Sequence, residues 1–169
     1  MPSLVVSVLC IRDSSNGYSL IRKILEVSNA NLSTEFAGST LGETLLTPTM
    51  IYVKTLQELS ESVQINALAH ITGGGLIENI PRVLPANARA HIELTSWNRP
   101  AIFDWLQEKG NVVGSEMHRT FNCGIGMLVC VAATDAENAL AILNKNSESA
   151  VVIGKIIERN TDEKAVALV

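Results

Sequence analysis

Two hydrophobic periods take turns along this chain. Residues 4–11 are β-branched and apolar enough for a strand. From Asn16 a helical spacing takes over, with Leu20, Ile21, Ile24, Leu25 and Val27 on one side and Arg22, Lys23 and Glu26 on the other. Residues 40–46 predict a short helix. Pro48 suits the first turn of the next, in which Ile51, Val53, Leu56 and Leu59 oppose Lys54, Gln57, Glu58 and Glu61 until about Val63. Residues 65–72 predict a strand that runs into Gly73, Gly74 and Gly75, and residues 76–84 a short helix bounded by Pro85. Next comes an alternating strand, with Ala90, Ile92 and Leu94 on one face and Arg89, His91 and Glu93 on the other. Pro100 fits a helix start whose packing face is Ile102, Phe103, Trp105 and Leu106, and residues 115–120 give a further helical turn.

Residues 125–133 are almost continuously apolar, the pattern of a strand buried on both faces. Thr134, Asp135, Ala136 and Glu137 mark a capped helix with Ala139, Leu140, Ile142 and Leu143 as its buried stripe. Residues 151–157 and 164–169 close the chain as strands. The alternation, without repeats or low-complexity linkers, predicts an α/β (α+β) fold: one domain with a single mixed β-sheet and flanking helices.

Composition narrows the function classes. The 169 residues are 47% hydrophobic, enough for one sizeable core, and exposed apolar surface or a well-filled interior would both account for that fraction. A net charge of −4 with no basic stripe argues against a nucleic-acid partner, and no apolar run approaches the roughly 20 residues of a membrane span. The first ten residues lack the positive flank of a secretion signal, which leads to a cytoplasmic expectation. Cys10, Cys123 and Cys130 have no metal-ligand spacing and predict buried free thiols; Cys123, just before Gly124 and Gly126, could also border a cleft. No metal site is expected.

Candidate chemistry centres on residues 68–85. A strand, three glycines and a helix start can cradle a phosphate, because glycine reaches positive φ and leaves no β-carbon between amide N–H groups and an anion. A tight turn serving only packing gives the same pattern. Thr72, Gly73, Gly74 and Gly75 would supply donors, with Asn79 and Arg82 on the following helix. His70, just before the loop, is the acid/base candidate, against the reading of a satisfied core histidine. His91 and His118 rank lower. Ser15, Asn16 and Gly17 lead into another helix and suit an anion or ribose contact, or a plain cap and turn.

Two long strings carry a resemblance: residues 70–85 (HITGGGLIENIPRVLP) and 117–127 (MHRTFNCGIGM). Both resemble the signatures of the aminoimidazole ribonucleotide synthetase family, the phosphoribosylformylglycinamidine cyclo-ligases of purine biosynthesis. Residues 15–20, 48–54 and 99–107 agree as well. The resemblance covers the family's C-terminal half. It implies an ATP- and Mg²⁺-dependent ring closure of formylglycinamidine ribonucleotide to aminoimidazole ribonucleotide, in which this half holds the substrate and is inactive alone. The partner would be an N-terminal half, absent here, that carries the nucleotide site and most of a homodimer contact; ATP and Mg²⁺ are not expected to bind this chain by itself.

Where the family has Ser-Ser-Gly-x-His, this chain has Cys10, Ile11, Arg12, Asp13 and Ser14. Residues 1–14 are therefore expected to be a divergent segment ahead of a domain at 15–169, arising from a shifted frame, an alternative start or a degraded gene. A non-catalytic remnant or small-molecule binding module is the alternative function. Thiamine monophosphate kinase, selenophosphate synthetase and the hydrogenase maturation factor share the architecture but not the two strings.

Overall fold

The computed structural model describes residues 4–9, 16–145 and 149–169. Its centre is a six-stranded sheet built from β1 (Leu4–Leu9), β4 (Ile65–His70), β5 (Ala88–Ile92), β6 (Met127–Ala132), β7 (Ala150–Glu158) and β8 (Val166–Leu168), in the order β4-β6-β1-β7-β5-β8. Every pairing is antiparallel except β5 with β8, so the sheet is mixed as expected. A two-residue hairpin, β2 (Glu35–Phe36) with β3 (Ser39–Thr40), stands apart from it.

The continuous apolar run of β6 follows from its place between β4 and β1. Leu128 and Cys130 face one cluster, with Ile71, Leu76, Ile80, Ile92 and Trp97. Met127, Val129 and Val131 face the other, under α3 (Val53–Ser62) and α7 (Ala136–Lys145), where Leu59, Ala139 and Leu143 are fully buried. A third cluster joins four helices: α1 (Tyr18–Ser28), α2 (Leu41–Leu45), α5 (Ala101–Gly110) and α6 (Gly114–Thr120). No helix among the described residues is long and apolar enough to cross a membrane.

Three expectations change. The helix expected from Pro48 begins only at Val53, with Tyr52 at its cap, because burial of the Tyr52 ring sets where the chain enters the helix. That start turns Tyr52, Thr55, Leu59 and Val63 inward and leaves Ile51 and Val53 in solvent. The helix expected at 76–84 is instead a five-residue α4 (Gly75–Asn79) followed by a 3-10 turn, Ile80–Arg82, because Pro81 lacks the N–H that an α-helix would use. The hairpin was not foreseen; its turn places Ala37 and Gly38 at positive φ, a type I′ geometry without the usual Asn-Gly signal. Residues 10–15, including Cys10, Arg12, Ser14 and Ser15, lie outside the described residues.

Candidate functional site

Sheet register brings the two glycine-led segments to one place. Leu9 at the end of β1 and His70 at the end of β4 both pair with Met127, the first residue of β6. The two strands therefore finish at the same end of the sheet, and Ile71 N–H extends the β4 ladder onto the Gly126 carbonyl at 2.8 Å. The chain then turns at Gly17 into α1 and at Gly74 into α4, and both caps are left-handed, with φ of 72° and 97°.

Phe121 is where these turns meet. A β-carbon on Gly17 would lie 2.4 Å from the Phe121 ring, and one on Gly75 would lie 2.7 Å from the Phe121 carbonyl oxygen and 2.1 Å from that of His118. Gly17 and Gly75 are thus required by close packing as well as by their positive φ. The turn after Phe121 is held from within. Asn122 Oδ1 accepts from Gly124 N–H at 3.1 Å, and Trp97 Nε1 donates to the Cys123 carbonyl at 3.0 Å.

The glycine loop itself has an inner and an outer side. Buried Asn79 directs its amide inward, donating to the carbonyls of Gly75 at 2.9 Å and Gly73 at 3.2 Å. It shapes the loop and does not face outward as a ligand contact. Gly75 N–H is already committed to the Thr72 carbonyl at 3.0 Å, so it is not the free donor expected of it. The N–H groups of Thr72, Gly73 and Gly74 have no hydrogen-bond partner among the described residues, Thr72 and Gly73 are exposed, and nothing lies within 4 Å of where a Gly73 β-carbon would sit. Unpaired backbone donors on a turn of this kind have the chemistry to bind an anion. The five-residue α4 adds little dipole to them.

His70 is exposed, which removes the core-histidine reading, and its ring stands edge-on to Tyr52 at 5.8 Å between centroids. Arg82 is exposed at the far end of the 3-10 turn, about 11 Å of helical rise beyond Gly75. Asn16 is not a cap. It is 9% exposed, and neither side-chain polar atom finds a partner among the described residues.

Sequence reasoning passed over the clamp between α4 and α6, in which Arg119 reaches Glu78 at 3.1 Å and Glu116 at 3.7 Å. Burial, and after it the Arg99 charge, hold the His118 imidazole below its ordinary pKa. Burial pushes the Cys123 thiol up to about 12 despite nearby Arg99, so this cysteine is an inert packing group. Two clefts, of about 360 Å³ beside Glu43 and Phe103 and about 400 Å³ beside Tyr18 and Leu45, include no glycine-loop residue.

A family model described as AIR synthase related protein, C-terminal domain, matches residues 3–166. Phosphoribosylformylglycinamidine cyclo-ligase of Nitrosococcus oceani is 56% identical over 153 residues, which cover 90% of this chain but 43% of that protein. Among solved structures, E. coli HypE, a hydrogenase maturation protein, superposes with a TM-score of 0.67 at 17% identity, over 99% of this chain and 46% of its own. Thiamine-monophosphate kinase of Stenotrophomonas maltophilia K279a gives 0.63 at 16%, over 99% and 50%. A HypE in complex with ATP gives 0.66 at 16%, over 99% and 48%. At such identities these structures share the fold.

Proposed function

Because this chain belongs to the AIR synthase related family, matching its C-terminal domain, we propose that it is the substrate-holding half of an ATP-dependent cyclo-ligase of purine biosynthesis. On this reading it binds formylglycinamidine ribonucleotide and has no turnover alone. In the reaction ATP phosphorylates the formyl amide oxygen, an amidine nitrogen attacks the activated carbon, and phosphate leaves as the imidazole ring closes. Such a step depends on position and charge stabilisation and needs no protein nucleophile, which agrees with an inert Cys123.

The observation that carries the reading is that the N–H groups of Thr72, Gly73 and Gly74 have no hydrogen-bond partner among the described residues, in a loop whose Gly73 and Gly75 carbonyls are held by Asn79. These donors take the ribonucleotide phosphate, with the Arg82 guanidinium as a second charge and Asn16 and Gly17 on the turn into α1; Ser15 is proposed as a further contact from the sequence alone. His70 borders the loop as the proton carrier. No step is assigned to magnesium or ATP on this chain. Both belong to the N-terminal half, which also makes the homodimer contact. Because β1 (Leu4–Leu9) is an internal strand of the sheet, the divergent segment is proposed to be residues 10–14 within the domain, and the cytoplasm is proposed as the compartment.

Calorimetric titration with formylglycinamidine ribonucleotide tests this. The parent chain is expected to bind. Gly73→Val, which adds bulk where the fold leaves space, is expected to abolish binding with unfolding unchanged, and Arg82→Ala to weaken it. A folded parent that gives no heat of binding favours the remnant reading, with the glycine loop as architecture only.

A further inference from the structure

Glu78 folds back over the glycine loop. A β-carbon on Gly74 would lie 2.8 Å from the Glu78 β-carbon and 2.9 Å from its Oε2, so one carboxylate oxygen stands beside the left-handed turn. A carboxylate at the start of a helix commonly accepts a free backbone N–H. Here the Glu78 side chain takes no N–H of Thr72, Gly73 or Gly74, and its Oε1 accepts from Arg119 Nε at 3.1 Å instead. Arg119 comes from α6, which lies tight against α4 through the approach of Gly75 to the His118 carbonyl. Its guanidinium also has Glu116 at 3.7 Å, so Glu78 is not its only anchor. An ion pair this exposed, with 59% and 45% of the two side chains in solvent, adds little to stability. Its consequence falls on the loop. Glu78 is a tethered anion beside donors that have no partner among the described residues, and it is paired elsewhere.

We propose that Arg119 is a positioning residue for the phosphate: by holding the Glu78 carboxylate, it keeps this tethered anion off the N–H groups of Thr72, Gly73 and Gly74 and offsets its charge. The inference rests on the cyclo-ligase reading for the identity of the phosphate. Charge decides its direction. A released Glu78 opposes the ligand twice, by repulsion at close range and by occupying a donor that the ligand would use. Removing Arg119 therefore weakens phosphate binding through Glu78, although Arg119 itself touches no ligand. Removing the Glu78 charge strengthens it. A clamp that only braces α4 against α6 behaves otherwise, because loss of either partner breaks one and the same contact and the two losses act alike.

Calorimetric titration at low ionic strength, with formylglycinamidine ribonucleotide and with inorganic phosphate as probes, tests this on the parent chain, Arg119→Ala, Glu78→Gln and the double variant, each first shown to be folded by circular dichroism. Arg119→Ala is expected to weaken binding of both probes by about fivefold or more, Glu78→Gln to tighten it, and the double variant to recover the parent affinity or better. Glu78→Gln keeps the shape of the side chain, so it decides the sign even where Arg119→Ala fails to fold. A Glu78→Gln affinity at or below that of the parent, or a double variant no better than Arg119→Ala, overturns the proposal, while ribonucleotide binding by the parent keeps the cyclo-ligase reading. The expected pattern with phosphate, in a chain that binds the ribonucleotide no more tightly than phosphate, upholds the proposal and sinks the reading. A folded parent that binds neither probe overturns both.

Discussion

Alanine at Gly75 and alanine at Gly73 should behave as opposites, although the residues lie two positions apart in one loop. At Gly75 the new β-carbon would stand 2.1 Å from the His118 carbonyl oxygen and 2.7 Å from that of Phe121. Both are backbone atoms, so no rotamer change relieves the contact, and α4 must move away from α6. The left-handed φ of 55° adds strain of roughly 1–2 kcal/mol for any L side chain. Overpacking a filled interior adds about 1–3 kcal/mol, which brings the expected loss to about 2–5 kcal/mol. For a domain of this size each kcal/mol moves the unfolding midpoint by about 2–4 °C, so the midpoint should fall by about 4–20 °C. At Gly73 the β-carbon meets nothing within 4 Å and φ is not positive, so stability should stay within about 0.5 kcal/mol of the parent. Thermal unfolding followed by far-UV circular dichroism measures both. A Gly75→Ala midpoint within about 2 °C of the parent would refute the packing argument. A Gly73→Ala midpoint as low as that of Gly75→Ala would show the whole loop to be constrained, leaving no open face for an anion.

Asn79→Asp should unfold at lower denaturant than Asn79→Ala, because a carboxylate in that buried position sets negative charge against the Gly73 and Gly75 carbonyls where the amide donated to both. Urea titration of the two variants checks the order, and equal midpoints would contradict it. The depressed pKa of His118 means that the unfolded chain takes up its proton first as pH falls. The stability tied to the neutral imidazole is therefore present above the unfolded value of about 6.5 and declines below it, toward and through the folded value. Denaturation midpoints between pH 7 and 5 should fall less in His118→Gln than in the parent; parallel lines would remove His118 from the account.

Much of the fold was legible because local pattern and burial agree. The unbroken apolar run into β6 announced a strand covered on both sides, and the alternation of Ala90 and Ile92 announced a strand with one face in the core. Other features depend on contacts distant in sequence. Nothing near Val53 says that Tyr52 will be the residue turned inward, since that follows from the space beneath α3 beside Met127 and Leu143. The two-residue strands of the hairpin are too short to show a period. At the candidate site, sequence marked Gly73, Gly74 and Gly75 as equivalents. Only the approach of α6 divides them into an open position, a left-handed cap and a packing contact. Asn79 had the right address and the opposite direction, because side-chain orientation depends on which carbonyls lie beneath it. The Phe121 string was recognised as a signature, yet its part as the shared support of two turns needed the fold to be seen.

The position of β1 also fixes when the sheet can close. It lies between β6 and β7, so Leu4 waits for Ala132 on one side and Ile156 on the other. Contacts of such span are slow to form, because a long loop must be closed before any pairing rewards it. At about 5–20 residues per second on a ribosome, β1 would emerge and then remain without either neighbour for roughly 6–25 s until β6 is made. Throughout that interval an apolar strand with two open edges is available to other chains. Synthesis, more than the finished structure, is therefore the stage at which this protein is most exposed to aggregation, and slowing translation between β1 and β6 would lengthen it.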